Sequence, residues 1–232
     1  MKAAFTEEGF KRRIEKIKEI RNKMKNNVRE MHVKIQRGNS KTGANCWTVS
    51  LLPVFDCGNC SKCKGNCYDL KSDLIYPNVI EDRCRNSLIH EFDIERYWKE
   101  IDMQLKLNYV TELRLNVGGD LTYEDFNYVA ALGKSNPKTK ILFFTKNYKG
   151  INKFLDENEF PENVHPIMSA WEGMEMENSH NLPCSHVLYE DGSTTAPEFG
   201  AYYCTGNCSE CAFFDKGCWS LKKGEHVIFH AH

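Results

Sequence analysis

The sequence predicts a parallel α/β fold, an open or partial (β/α) barrel, on three observations. Helical and strand patterns alternate along the chain. One strand, Lys140-Ile-Leu-Phe-Phe-Thr145, is almost wholly apolar, as strands covered on both faces are. Two groups of residues suited to chemistry, a cysteine loop and a Gly-Gly-Asp, follow the first two strands, where such folds carry their sites.

Each element follows from its own pattern. Residues from about 7 to 31 read as a helix with Thr6 as N-cap and Phe10, Ile14, Ile17, Met24, Val28 and Met31 at helical spacing. Its other face, Lys11, Arg12, Arg13, Lys16, Lys18, Arg21, Lys23 and Lys25, is basic; a solvated surface is expected, and contact with a polyanion is the alternative. Asn39-Ser-Lys-Thr-Gly43 is turn chemistry, and Trp47 to Pro53 is a strand. A cysteine run and a long connection lead to a helix from about Asp93 to Leu107, with Ile94, Tyr97, Trp98, Ile101 and Leu105 on one face. The strand Glu112 to Val117 ends in Gly118-Gly119-Asp120. Thr122 and Asp125 form a capping box for a helix through Phe126, Val129 and Leu132. After the apolar strand come a short helix, Ile151 to Leu155, and a strand, Val164 to Ser169; His186 to Tyr189 and His226 to His230 are weaker strands. The expected division is a basic helix over 1–35 and one domain over 36–232, whose segment about 184–219 carries the second cysteine run.

Length and composition narrow the class. The chain has 232 residues, enough for one domain with a real core. A net charge of −1 leaves no global field to recruit nucleic acid or acidic membranes. No apolar run reaches membrane-spanning length, and the N-terminus has no apolar signal core. A cytoplasmic protein with reduced thiols and no membrane partner is expected.

Eleven cysteines carry the functional signal. Cys57, Cys60, Cys63 and Cys67 follow C-x2-C-x2-C-x3-C, the compact spacing of a cubane iron–sulfur loop. Cys204, Cys208, Cys211 and Cys218 form the second run, spaced to suit zinc or iron–sulfur equally. Zinc sites generally use two separated C-x2-C pairs, so the first run favours iron–sulfur. Disulfides fit poorly with an odd count and no secretory signal. Cys46, Cys84 and Cys184 remain. Lone cysteines most often act as small buried apolar residues, and Cys184 is the one placed to be an extra ligand.

Other constellations are weaker. Gly118-Gly119-Asp120 alone is also an ordinary strand-to-helix turn with an acid near a helix start. His226, His230 and His232 alternate along a strand and read as a polar edge. Trp171 to Glu177 reads as a surface helix rather than pocket lining. No P-loop, nucleophile elbow or zinc-protease motif is present.

A cluster loop after the first strand and a Gly-Gly-acid after the second resemble the radical S-adenosylmethionine (SAM) enzymes. That resemblance implies a 4Fe–4S cluster with one iron open to SAM, and a cofactor-binding role for Gly118, Gly119 and Asp120, with Asp in place of the usual Glu. Phe144-Thr145-Lys146-Asn147 is similar to the third-strand end of a phage-associated branch of that superfamily. More narrowly, about residues 36 to 232 resemble the phage gene-product-88 family. That likeness rests on Asn39 to Gly43, Ser50-Leu-Leu-Pro53, Cys67-Tyr68, Cys218-Trp219 and the closing Phe229-His-Ala-His232. The first run departs from the superfamily's C-x3-C-x2-C, and its fourth cysteine would close the cluster. The literal spacing occurs at Cys204, Cys208 and Cys211, late in the chain, and is read as an auxiliary cluster.

The resemblance implies a small enzyme of the host cytoplasm with two 4Fe–4S clusters. It would cleave SAM reductively, with electrons from a ferredoxin or flavodoxin. The rival reading is a non-catalytic iron–sulfur protein with fully cysteine-ligated clusters, serving electron transfer, redox sensing or structure. A zinc-stapled nucleic-acid binder using the basic helix is the third.

Overall fold

Alternating helices and strands build the sheet in sequence order across its first five strands. The computed structural model describes residues 6–39, 42–58, 62–64, 67, 69–70 and 76–231. The strands are β1 (Cys46–Val49), β2 (Glu112–Leu115), β3 (Lys140–Thr145), β4 (Val164–Ser169), β5 (Cys184–Leu188), β6 (Ala201–Tyr203) and β7 (His226–His230). They form one parallel sheet in the order β1-β2-β3-β4-β5-β7-β6. The mixed α/β class with a parallel sheet is therefore as the sequence predicts. One strand more is present, the three-residue β6.

The described helices are α1 (Glu7–Met24), α2 (Pro77–Phe92), α3 (Ile94–Leu107), α4 (Tyr123–Ser135), α5 (Tyr148–Glu157) and α6 (Cys208–Phe213). Thr6 caps α1 by accepting from the Gly9 amide at 3.1 Å. The regular helix stops at Met24, and Lys25–Glu30 tighten into a 3-10 turn, where Asn26 and Asn27 are poor helix formers. Thr122 and Asp125 form the expected reciprocal capping box of α4. Asp125 also receives the ring nitrogen of His90 at 2.7 Å and Trp98 Nε1 at 2.9 Å, tying α2 and α3 to the start of α4.

Strand alternation divides the interior in two. Val49, Leu113, Leu115, Ile141, Phe143, Val164 and Met168 point to the side covered by α3, α4 and α5. There Phe126, Phe143, Phe154 and Phe160 meet with ring centroids 4.7 to 6.2 Å apart. Such pairs add about 0.5–1.5 kcal/mol each beyond area burial. The opposite surface of the sheet presents Cys46, Leu142 and Ile167, and it is covered by the C-terminal segment through Cys211, Ala212 and Trp219.

A third cluster lies after β1. Ile17 of α1 packs with Leu52, Leu70, Ile80 and Cys84, joined by Phe10, Ile20, Met24, Val54, Phe55 and Cys67. Arg13, expected on the solvated face of α1, is buried instead. It lies at helical spacing between Phe10 and Ile17 and so shares their packed face. Arg21 pairs with Glu91 of α2.

Candidate functional site: two cysteine groups

The first group lies over the carboxyl ends of β1 and β2. Leaving β1, the chain turns sharply: the Asp56 carboxylate accepts from the Leu52 amide at 2.8 Å, and the Asp56 amide donates back to the Leu52 carbonyl at 3.0 Å. Val54 within this turn has φ 71°, an outlier for a β-branched residue, and its amide lies 3.4 Å from Cys57 Sγ. Cys57, Cys63 and Cys67 are half-buried thiols; Cys60 lies outside the described residues, as do Gly65 and Tyr68. Burial pushes the Cys67 thiol up to about 11, partly opposed by the Leu70 and Asp69 amides.

The Gly-Gly-Asp turn is packed directly against this loop. The Leu51 amide donates to the Gly118 carbonyl at 3.0 Å, and the Asp120 amide to the Asp56 carbonyl at 2.8 Å. A Cβ on Gly118 would lie 2.0 Å from Asp69 Oδ2; one on Gly119, which has φ +80°, would lie 2.7 Å from Leu51 Cβ. Asp69 is held there by Arg83 of α2, Nη2 to Oδ1 2.6 Å, a pair buried on both sides. The Asp120 carboxylate, 8 % exposed, accepts from Thr145 Oγ1 at 2.7 Å, the Lys146 amide at 2.8 Å and the Leu121 amide at 2.8 Å. Burial raises its pKa against these donors. The structure thus joins the first cysteine loop, Gly118 to Asp120, and the Thr145-Lys146 end of β3.

The second group lies on the other surface of the sheet, with Cys204 directly after β6 and the segment from Cys208 over the amino ends of β1 and β3. Asn207 caps α6 by accepting from the Glu210 amide at 3.1 Å, which sets the turn that presents Cys208 and Cys211. Ser209 fastens this segment to β1, its Oγ accepting from the Cys46 amide at 2.9 Å and the Asn45 amide at 3.1 Å. Lys140 at the start of β3 donates to the Ala212 carbonyl at 2.9 Å and pairs with Asp215. Trp219 donates to the Cys208 carbonyl at 3.0 Å and meets His165 edge-on.

Cys46 is drawn into this group. The neighbouring Cys208 thiol, and then burial, push Cys46 far up. The Cys46 hydrogen bond and the Arg114 guanidinium pull Cys208 down to about 6. Arg114 Nη1 stands 3.8 Å from Cys208 Sγ. Burial, reinforced by Cys204, Cys208 and Cys211, raises Cys218. Cys211 has the hydroxyls of Tyr202 at 3.9 Å and Thr205 at 3.5 Å as partners.

Sequence reasoning expected Cys184 as the extra thiol. It lies on the helix-covered side of the sheet, its sulfur 3.3 Å from Asn178 Nδ2 and 3.4 Å from the Leu182 carbonyl. Cys46 is buried in an apolar cluster, as expected of a lone cysteine, but its place in this group, with Glu112 and Arg114, is not among the expected site residues. Their signal was the alternation that sends Val49, Leu113 and Leu115 to one side of the sheet and these three to the other. His226 meets His186, ring nitrogens 3.0 Å apart, and burial then His226 lower His186 to about 4. His230 is exposed and His232 lies outside the described residues.

The donor set, two runs of four cysteines, is chemically suited to a thiophilic centre. Among the described residues, no three His, Cys, Asp or Glu side chains surround one point as a single ion would require. No described helix is long and apolar enough to cross a membrane.

No curated protein and no solved structure matches the chain. The model of one phage-protein family, gene product 88, matches residues 15–194. The match begins inside α1, which the sequence reading left outside its likeness, and it ends before Cys204. It covers most of the chain, including the first cysteine run and Gly118 to Asp120, and on that extent the chain belongs to the gene product 88 family.

Proposed function

We propose that the chain is an iron–sulfur protein with two 4Fe–4S clusters, one held by Cys57, Cys60, Cys63 and Cys67, the other by Cys204, Cys208, Cys211 and Cys218. In this reading the parallel sheet is a partial barrel of the radical SAM kind. The first site is the catalytic one, with Gly118, Gly119 and Asp120 as its cofactor-binding turn. The observation that carries it is the first cysteine loop packed against Gly118 to Asp120 at the carboxyl ends of β1 and β2. When bound, cluster and SAM supply reductive cleavage of the cofactor. The chain's own residues place the loop: Asp69 and Arg83 hold it onto Gly118, α1 shields its Cys67 side, and Asp120 fixes the end of β3. Electrons would come from a ferredoxin or flavodoxin of the host cytoplasm.

A second reading has its own support. The three donors already on the Asp120 carboxylate favour a structural role for that residue, and with it an electron-transfer or redox-sensing protein whose clusters are fully cysteine-ligated. One experiment separates the two. The anaerobically reconstituted, reduced chain is incubated with SAM, and deoxyadenosine and methionine are measured. Cleavage supports the enzyme; no cleavage, with no change in the cluster's spin-resonance spectrum, supports the fully ligated protein.

A further inference from the structure

We propose that Arg114 and Glu112, two charges on one surface of β2, set the reduction potential of the second cluster in opposite directions. The inference rests on the iron–sulfur reading of Cys204, Cys208, Cys211 and Cys218.

β2 is four residues long, and its alternation is strict. Leu113 and Leu115 enter the core under the helices, so Glu112 and Arg114 face the C-terminal cysteine segment. Arg114 directs Nη1 at Cys208 Sγ, 3.8 Å away, and its guanidinium lies over the Phe144 ring, 5.0 Å from the centroid. Stacking on an aromatic face is a geometry that holds a guanidinium in place. Glu112 sits in register with Cys46, whose amide is held by Ser209 of the same cysteine segment. Its Oε1 accepts from Thr111 Oγ1 at 3.2 Å. Its Oε2 is shielded from solvent and has no hydrogen-bond partner among the described residues. Nearby, Lys140 pairs with Asp215, and Lys216 with Glu210.

Reducing a 4Fe–4S cluster adds one electron to it and makes or breaks no bond in the protein. A cation at a ligating sulfur therefore stabilises the reduced form, and a desolvated anion opposes it. Hydrogen bonds to ligating sulfurs act in the same direction as the cation. Arg114 raises the potential of this site, and Glu112 lowers it.

The test is a redox titration of the full-length, anaerobically reconstituted chain, with dithionite supplying the electrons and spin resonance reading each cluster. Arg114→Met is expected to move the second cluster's midpoint to more negative potential. Glu112→Gln should move it to more positive potential. Arg114→Lys should fall between wild type and Arg114→Met, and the first cluster's midpoint should stay in place throughout. Damage to the fold would move both neutral variants the same way, so the opposed signs are diagnostic. Should Arg114→Met lose its cluster, the positive shift of Glu112→Gln and the smaller negative shift of Arg114→Lys carry the test alone. Midpoints that do not move, or move in one direction, overturn the inference while leaving the clusters assigned. An unsubstituted chain that takes up no iron and sulfide overturns the iron–sulfur reading and this inference with it.

Discussion

The two cysteine groups differ in how the fold holds them. The first is a loop over the carboxyl ends of β1 and β2, sealed by α1 and anchored by one buried ion pair, and it falls within the family match. The second is spread over the sheet's other surface, on a floor of Leu142, Ile167 and Trp219, with Arg114 and Glu112 beneath it, beyond residue 194. One is placed by a strand-end loop and the other by side-chain alternation. Each group has its own supports, so each can be perturbed alone.

The anchors give the largest expected effects. Asp69→Ala breaks the buried ion pair with Arg83, which costs about 3–5 kcal/mol. Denaturant unfolding should show that loss, and iron should fall at the first site only. Equal loss from both sites would mean that they are not separate.

Trp219→Ala is the matching change on the other side. It empties a buried indole site and removes the bond to the Cys208 carbonyl, for about 3–5 kcal/mol. The same unfolding measurement checks it. The second site should lose metal affinity while the first retains its own; the reverse pattern would break the comparison.

Ser209→Ala is smaller. It leaves the buried Cys46 amide without its acceptor, at about 1–3 kcal/mol. Amide exchange should quicken at Asn45 and Cys46 and stay unchanged at Leu52 and Asp120. The smallest effect is Thr6→Ala, the α1 cap, at about 0.5–1 kcal/mol. Its exchange signature should be fraying of the first turn of α1, with the second group untouched.

How much of this was legible in the sequence varies by region. Lys140 to Thr145 and Val164 to Ser169 have their expected bounds; the first advertises itself as an apolar run, as strands covered on both faces do. The Thr122 box was read from two residues and is present. α2 was missed. Its buried positions include Arg83, Asn86 and Ser87 beside Ile80, Cys84, Leu88 and Ile89, so no binary helical period shows. The cysteine runs were legible as runs, and the contact of the first loop with Gly118 to Asp120 followed from fold logic. Cys46 was not legible as a site residue. Its place beside Cys208 depends on Ser209 reaching back across the sequence to β1, which no local pattern encodes.

Counting iron and acid-labile sulfide in three anaerobic preparations tests the central claim most directly. The unsubstituted chain should hold about eight of each. Replacing Cys60, Cys63 and Cys67 by Ala should leave about four of each, and so should replacing Cys208, Cys211 and Cys218. A folded chain in which either triple change empties both sites, or an unsubstituted chain holding stoichiometric zinc and no sulfide, would contradict it.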